Sequence, residues 1–114
     1  MDSTLAIFPS FIAEIVSGLE AAGRQDLAEQ LRTSKIRTTS FDNSADAGYI
    51  AVEPGRELNV VEQNIIGVRH GGTISVECKY WVNLDVDNFG RLLGVEVLSP
   101  PADVKSELRR RSAA

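Results

Sequence analysis

A single cysteine, Cys78, cannot close an internal disulfide, so no covalent staple holds this fold. Cysteine scarcity of this kind favours a reducing compartment, and the expected location is the cytoplasm. No apolar run approaches the ~20 residues that a membrane helix needs. The opening Met1-Asp2-Ser3-Thr4 is acidic and lacks the basic flank of a secretory signal. There is no excess of basic side chains either: 12 Lys and Arg stand against 16 Asp and Glu, for a net charge of -4. Nucleic-acid affinity comes largely from cations that neutralise phosphates, so neither nucleic acid nor a membrane is an expected partner. The one basic cluster, Arg109-Arg110-Arg111, reads as a solubilising end rather than a lipid or RNA contact. Internal repeats and low-complexity segments are absent as well.

A chain of 114 residues is one domain by length, and 43% hydrophobic content suffices for one modest core. What is present is a strong two-residue period. Ile74, Val76 and Cys78 alternate with Thr73, Ser75 and Glu77, and Val82, Leu84 and Val86 alternate with Asn83, Asp85 and Asp87. The pattern breaks at Asn88-Phe89-Gly90-Arg91 and resumes from Leu92 to Leu98. Successive side chains of a strand point to opposite faces, so this period predicts a sheet with one buried and one wet face.

The N-terminal third has a helical period instead. Residues 1–8 read as a loose lead-in, and Pro9-Ser10 opens a helix with Ser10 as its N-cap. Ile12, Ile15, Val16 and Leu19 share one face, and Gly23 ends the helix. A second helix from Gln25-Asp26 would bury Leu27, Ala28 and Leu31, and the short link makes the pair a helical hairpin. Strands are expected at Lys35–Phe41 and Gly48–Glu53, the latter with Ile50 and Val52 inward and Tyr49 and Ala51 outward. Leu58–Ile66 reads as a bent strand ended by Gly71-Gly72, with His70 in the turn. Ser99-Pro100-Pro101 closes the sheet before a short terminal helix or loose tail over Asp103–Arg111. The expected architecture is α+β: a single domain over 1–114, with a helical hairpin (9–33) packed on one face of an antiparallel β-meander of about five strands (35–98) and a tail (99–114).

Two blocks carry a resemblance. Phe41-Asp42-x-x-Ala45-Asp46-x-x-Tyr49-Ile50 is followed by Val82-x-Leu84-Asp85-x-Asp87-x-x-Gly90-Arg91-Leu92-x-Gly94-Val95-Glu96-Val97-Leu98. Over residues 36–98 the chain resembles the domain of unknown function 2283 family of small bacterial proteins, with Gly90, Gly94 and Glu96 in register. It departs from that family by its N-terminal helical extension and by a longer insert between the two blocks. The resemblance brings no established activity. It implies an immunity protein or antitoxin, encoded beside a toxin.

Candidate chemistry is sparse. Asp85, Asp87, Gly90 and Glu96 fall at positions one, three, six and twelve of a calcium loop, but Phe89 offers no oxygen at position five and the flanks are strands. A hairpin turn with Gly90 at positive φ accounts for the same residues. Cys78 shares a face with Ile74 and Val76, so a buried inert thiol is favoured over a nucleophile served by His70. Asp42 and Asp46 flank a turn, with Asp42 as its capping Asx residue rather than half of an acid–base pair. No catalytic residues, metal ligands or cofactors are assigned.

The wet face is the better candidate. Glu77, Asp85, Asp87 and Glu96 are expected to point outward together, with Glu53, while Tyr80 and Trp81 supply aromatic anchor area. An acidic face of this kind suits a basic protein partner. The expected function is a non-catalytic immunity protein or antitoxin that occludes the basic active-site cleft of a cognate toxin, such as a nuclease. The alternatives are a small metal- or ligand-binding protein or enzyme using turn carboxylates, and a structural homodimer through an open sheet edge or an exposed helix face.

Overall fold

The computed structural model describes residues 1–112. Its element order is α1 (Thr4–Ile7), α2 (Pro9–Ala21), α3 (Gln25–Arg32), β1 (Ile36–Asp42), β2 (Ala47–Val52), a helical turn at Glu62–Ile66, β3 (His70–Glu77), β4 (Trp81–Asp87), β5 (Leu92–Leu98) and α4 (Ala102–Ser112). The class is α+β, with one five-stranded antiparallel sheet ordered β1-β2-β5-β4-β3. Strands β3 to β5 form a meander. The β1–β2 hairpin joins it through β5, so the chain crosses from β2 to the far edge before starting β3.

The helices roof one face. Phe11, Ile12, Ile15 and Leu19 of α2, and Leu27 and Leu31 of α3, are buried against Ile50, Val82, Leu84, Val95 and Val97 of the sheet. Gly23 closes α2 at φ +75, the left-handed geometry glycine tolerates best. The amides of Gly23 and Arg24 donate to the carbonyls of Glu20 and Leu19, completing a Schellman end. Pro9 takes the first helical position and Phe8, not Ser10, the N-cap. Proline's missing N–H costs nothing there.

The lead-in is not loose. Ser3 caps α1 by accepting the Ala6 amide, Thr4 is fully buried, and its hydroxyl meets the Ser34 hydroxyl at 2.8 Å. Of the expected tail over 99–114, residues 102–112 form the regular helix α4 and 113–114 lie outside the described residues. Leu108 of α4 fits over Gly48, where a Cβ would lie 2.4 Å from a Leu108 methyl. Arg111 ties α4 to Asp2 at 2.6 Å, and Arg109 lies over the Phe41 ring.

Leu58–Ile66 is not a strand. Asn59 and Glu62 cap one another reciprocally: each side chain accepts the other's amide, at 2.9 and 3.0 Å. This capping box starts a single helical turn, and the Gly67 amide reaches back to the Glu62 carbonyl at 2.8 Å. Gly71 and Gly72 do not end an element but lie inside β3, which His70 begins. A Cβ on Gly71 would stand 2.2 Å from the Asp87 carbonyl oxygen, at the β-bulge between β3 and β4.

Candidate functional site: the uncovered sheet face

Three cross-strand rows build the face opposite the helices. The register aligns Ser40, Tyr49, Glu96, Asn83 and Ser75; Asp42, Ala47, Leu98, Trp81 and Glu77; and Thr38, Ala51, Gly94, Asp85 and Thr73. These residues alternate with the buried set, so polar and small side chains collect on one side. Ser75 donates to Asn83 Oδ1 at 2.8 Å and Asn83 donates to Glu96 at 3.0 Å, which fixes both side chains. Asp85 accepts from Thr73 at 2.8 Å and from the Tyr49 hydroxyl at 3.0 Å. His70 Nε2 stands 3.5 Å from the same Asp85 carboxylate.

Tyr49 reaches Asp85 by lying flat across Gly94. A Cβ on Gly94 would sit 2.3 Å from the Tyr49 ring and hydroxyl, so only glycine permits this pose. Burial, the bond to Asp85 and the nearby charge of Glu96 push the Tyr49 hydroxyl up to about 12. That direction keeps it protonated, a donor to Asp85 at neutral pH.

Of the expected outward acids, Glu77 is exposed and Asp85 and Glu96 are half-buried on this face. Glu53 follows β2, half-buried, its amide bonded to the Lys35 carbonyl. Asp87 does not belong to the open face: it is only 2% exposed. It precedes the turn, and its Oδ1 accepts the amides of Phe89 and Arg91 while Oδ2 takes Arg91 Nε at 2.7 Å. The register shifts between Asp85 and Val86, which breaks the alternation, and turn capping then holds Asp87 inward. Burial alone would raise the Asp87 pKa, but the Arg91 guanidinium and the two amides outweigh it and hold the carboxyl below the usual range. Gly90 completes the turn at φ +76.

The two aromatics separate. Trp81 is 66% exposed and stands opposite Glu77 and Leu98. Tyr80 is not a free anchor, because its ring packs 5.0 Å from Phe11 and Lys79 covers it. Cys78 is half-buried against the core and its thiol donates to the Tyr80 carbonyl; burial pushes its pKa up. His70 and Cys78 flank opposite ends of β3 and form no dyad. Asp42 accepts the Ser44 and Ala45 amides as an Asx turn, and Asp46 pairs with Lys105 at 2.8 Å. No cluster of three or more potential metal ligands occurs among the described residues.

A second exposed surface lies on the excursion between β2 and β3. Val60, Val61, Ile65, Ile66 and Val68 are all more than half exposed or nearly so, Ile65 at 77%. Asn88 holds this excursion through the Gly67 carbonyl and Arg69 amide, and Arg91 through the Arg56 carbonyl at 2.9 Å. The sequence signal for it was the Asn59-x-x-Glu62 capping box, which a run of β-branched residues obscures.

Comparison with known proteins yields no matching family model, no matching curated protein and no matching solved structure. No helix among the described residues is long and apolar enough to cross a membrane.

Proposed function

We propose that this chain is a non-catalytic binding protein that docks a basic protein partner on the uncovered sheet face. The observation that carries this reading is Trp81, a large indole left 66% exposed between Glu77 and Leu98, on a face where Ser75, Asn83 and Glu96, and Thr73, Asp85 and Tyr49, are hydrogen-bonded to one another. An exposed tryptophan on a face with fixed polar groups has the composition of an interface anchor. Glu77, Asp85 and Glu96 give the face its negative charge, which steers a cationic partner.

The carboxylates that an enzyme reading would enlist already have other partners. Asp42 caps a turn, Asp46 pairs with Lys105, and Asp87 holds Arg91. This supports binding over catalysis. Within that reading, the resemblance to the domain of unknown function 2283 family favours an immunity protein or antitoxin acting in the cytoplasm. Its partner is a toxin whose substrate cleft is basic, as in a nuclease.

Affinity capture from the cells that make the protein, followed by co-expression with the captured chain, tests the reading. Relief of the captured chain's growth defect supports it. Trp81→Ala is expected to weaken the complex by about thirtyfold or more, the scale of an interface hot spot. Glu77→Lys should slow association and flatten its dependence on salt. A complex that tolerates both substitutions refutes docking on this face.

A further inference from the structure

The two ends of the sheet are not equivalent. At the β1 end the chain guards its own edge. Ser3 bridges to Lys35, the Ile36 amide donates to the Asp2 carbonyl, and a bulge carries exposed Arg37. Bulges, charges and covering segments are the devices that blunt an edge strand. At the other end β3 has β4 as its neighbour in the sheet order, and no further strand follows among the described residues. Its eight residues contain no proline and no lysine, and its bulge is confined to the His70 end. Every other residue from Thr73 to Glu77 therefore turns its backbone N–H and C=O away from the sheet.

Beside this edge lies a groove of about 340 Å³, floored by the last turn of α2 and walled by β3. Ala21 and Ala22 line it from the helix and Ile74 and Val76 from the strand; Arg24 lines it too, its charge paired with Asp26 at 3.5 Å. Gly18 lets α2 come this close, since a Cβ there would lie 2.6 Å from the Glu77 carbonyl oxygen. A strand laid along β3 would place alternate side chains over these apolar residues and the others beside Ser75 and Glu77. Glu77 is exposed, and no ion pair among the described residues engages it.

We infer that the β3 edge and its groove receive an extended segment of a partner protein as a sixth strand, with apolar side chains alternating with cationic ones, a cation opposite Glu77. Backbone pairing supplies the attraction, and the groove and Glu77 supply the selection. This shares Glu77 with docking on the sheet face but goes beyond it, because the groove lies on the helix side of β3 and does not use Trp81; Ala22→Trp and Trp81→Ala tell the two apart.

The test uses the full chain and a capped seven-residue peptide alternating valine and lysine. Binding is followed by amide chemical shifts. Saturable shifts at Thr73–Glu77 are expected, and a valine–glutamate peptide should bind about tenfold more weakly. N-methylation of the alternate residues whose N–H groups meet β3 should cost at least about tenfold, and methylation of the other set little. Ala22→Trp should fill the groove and abolish binding while leaving the urea midpoint in place; Trp81→Ala should leave binding intact. Four results overturn the inference: no binding at millimolar peptide, equal loss with both methylation patterns, loss with Trp81→Ala but not Ala22→Trp, or a concentration-dependent doubling of mass with the β3 amides already protected, which assigns the edge to a second copy.

Discussion

Replacing Asp87 by alanine removes the acceptor of three hydrogen bonds, from the Phe89 amide, the Arg91 amide and Arg91 Nε. The Asp87 side chain is fully buried and that of Arg91 is 12% exposed, so solvent cannot replace the lost partner. Breaking a buried pair by removing one member costs about 3–5 kcal/mol, because the other charge is left unsatisfied. Arg91 retains its bond to the Arg56 carbonyl, which places the expected loss near the lower end, about 3 kcal/mol. With a urea slope of roughly 1.5 kcal/mol/M, the midpoint should fall by about 2 M. Far-UV circular dichroism is the appropriate probe, since Trp81 is already exposed in the folded state. Asp87→Asn keeps one acceptor and should lose roughly half as much. The difference between wild type and Asp87→Asn should also depend on pH. The folded carboxyl lies below its ordinary value of 3.8, so its stabilisation is fully present above that value. It disappears as pH falls through the lower folded value, where wild type comes to resemble the amide. An alanine variant that loses less than about 1 kcal/mol, or a wild-type-to-amide gap that is constant through the acid limb, would refute this account of the turn.

Two further outcomes follow from the Tyr49–Gly94 contact. Gly94→Ala drives a methyl group into the Tyr49 ring and should cost about 1–3 kcal/mol by urea denaturation; a Tyr49→Phe, Gly94→Ala double variant should recover little, because the ring remains. In an ultraviolet titration, the phenol that ionises at about 12 should vanish in Tyr49→Phe and move towards its ordinary value of 10.0 in Asp85→Asn, and an unchanged titration in Asp85→Asn would remove the carboxylate from its cause.

The sheet was legible wherever the two-residue period ran uninterrupted. Ile50 and Val52, and Val82 and Leu84, are buried as alternation requires, and Asn83 and Asp85 face the other way. Alternation failed at Asp87 because the register shifts between Asp85 and Val86 and the strand's last position answers to the turn that follows. Asp87-Asn88-x-Gly90 already spells a capped turn, and that signal outranks the period. Leu58–Ile66 misled for a different reason. β-Branched residues suggest a strand, yet the reciprocal Asn59–Glu62 capping box decided the local conformation. The meander expectation holds for the consecutive pairs β1–β2, β3–β4 and β4–β5, but the pairing of β2 with β5 could not be read, since it joins residues far apart in the chain and leaves no local mark. The candidate face was half legible. Its acidic members were visible, but the division of Tyr80 into the core and Trp81 into solvent depends on Phe11, which lies in the first helix of the hairpin.

Because β5 alone joins the β1–β2 hairpin to the β3–β4 hairpin, it acts as a keystone. Until Leu92–Leu98 has been synthesised, the two hairpins have no ladder in common and expose the flanks they later share. A growing chain must therefore carry two incomplete ribbons at once, each open to mispairing, and assembly becomes committed only when the last strand slots between them. Fragments that stop short of that strand should yield no cooperative unfolding transition.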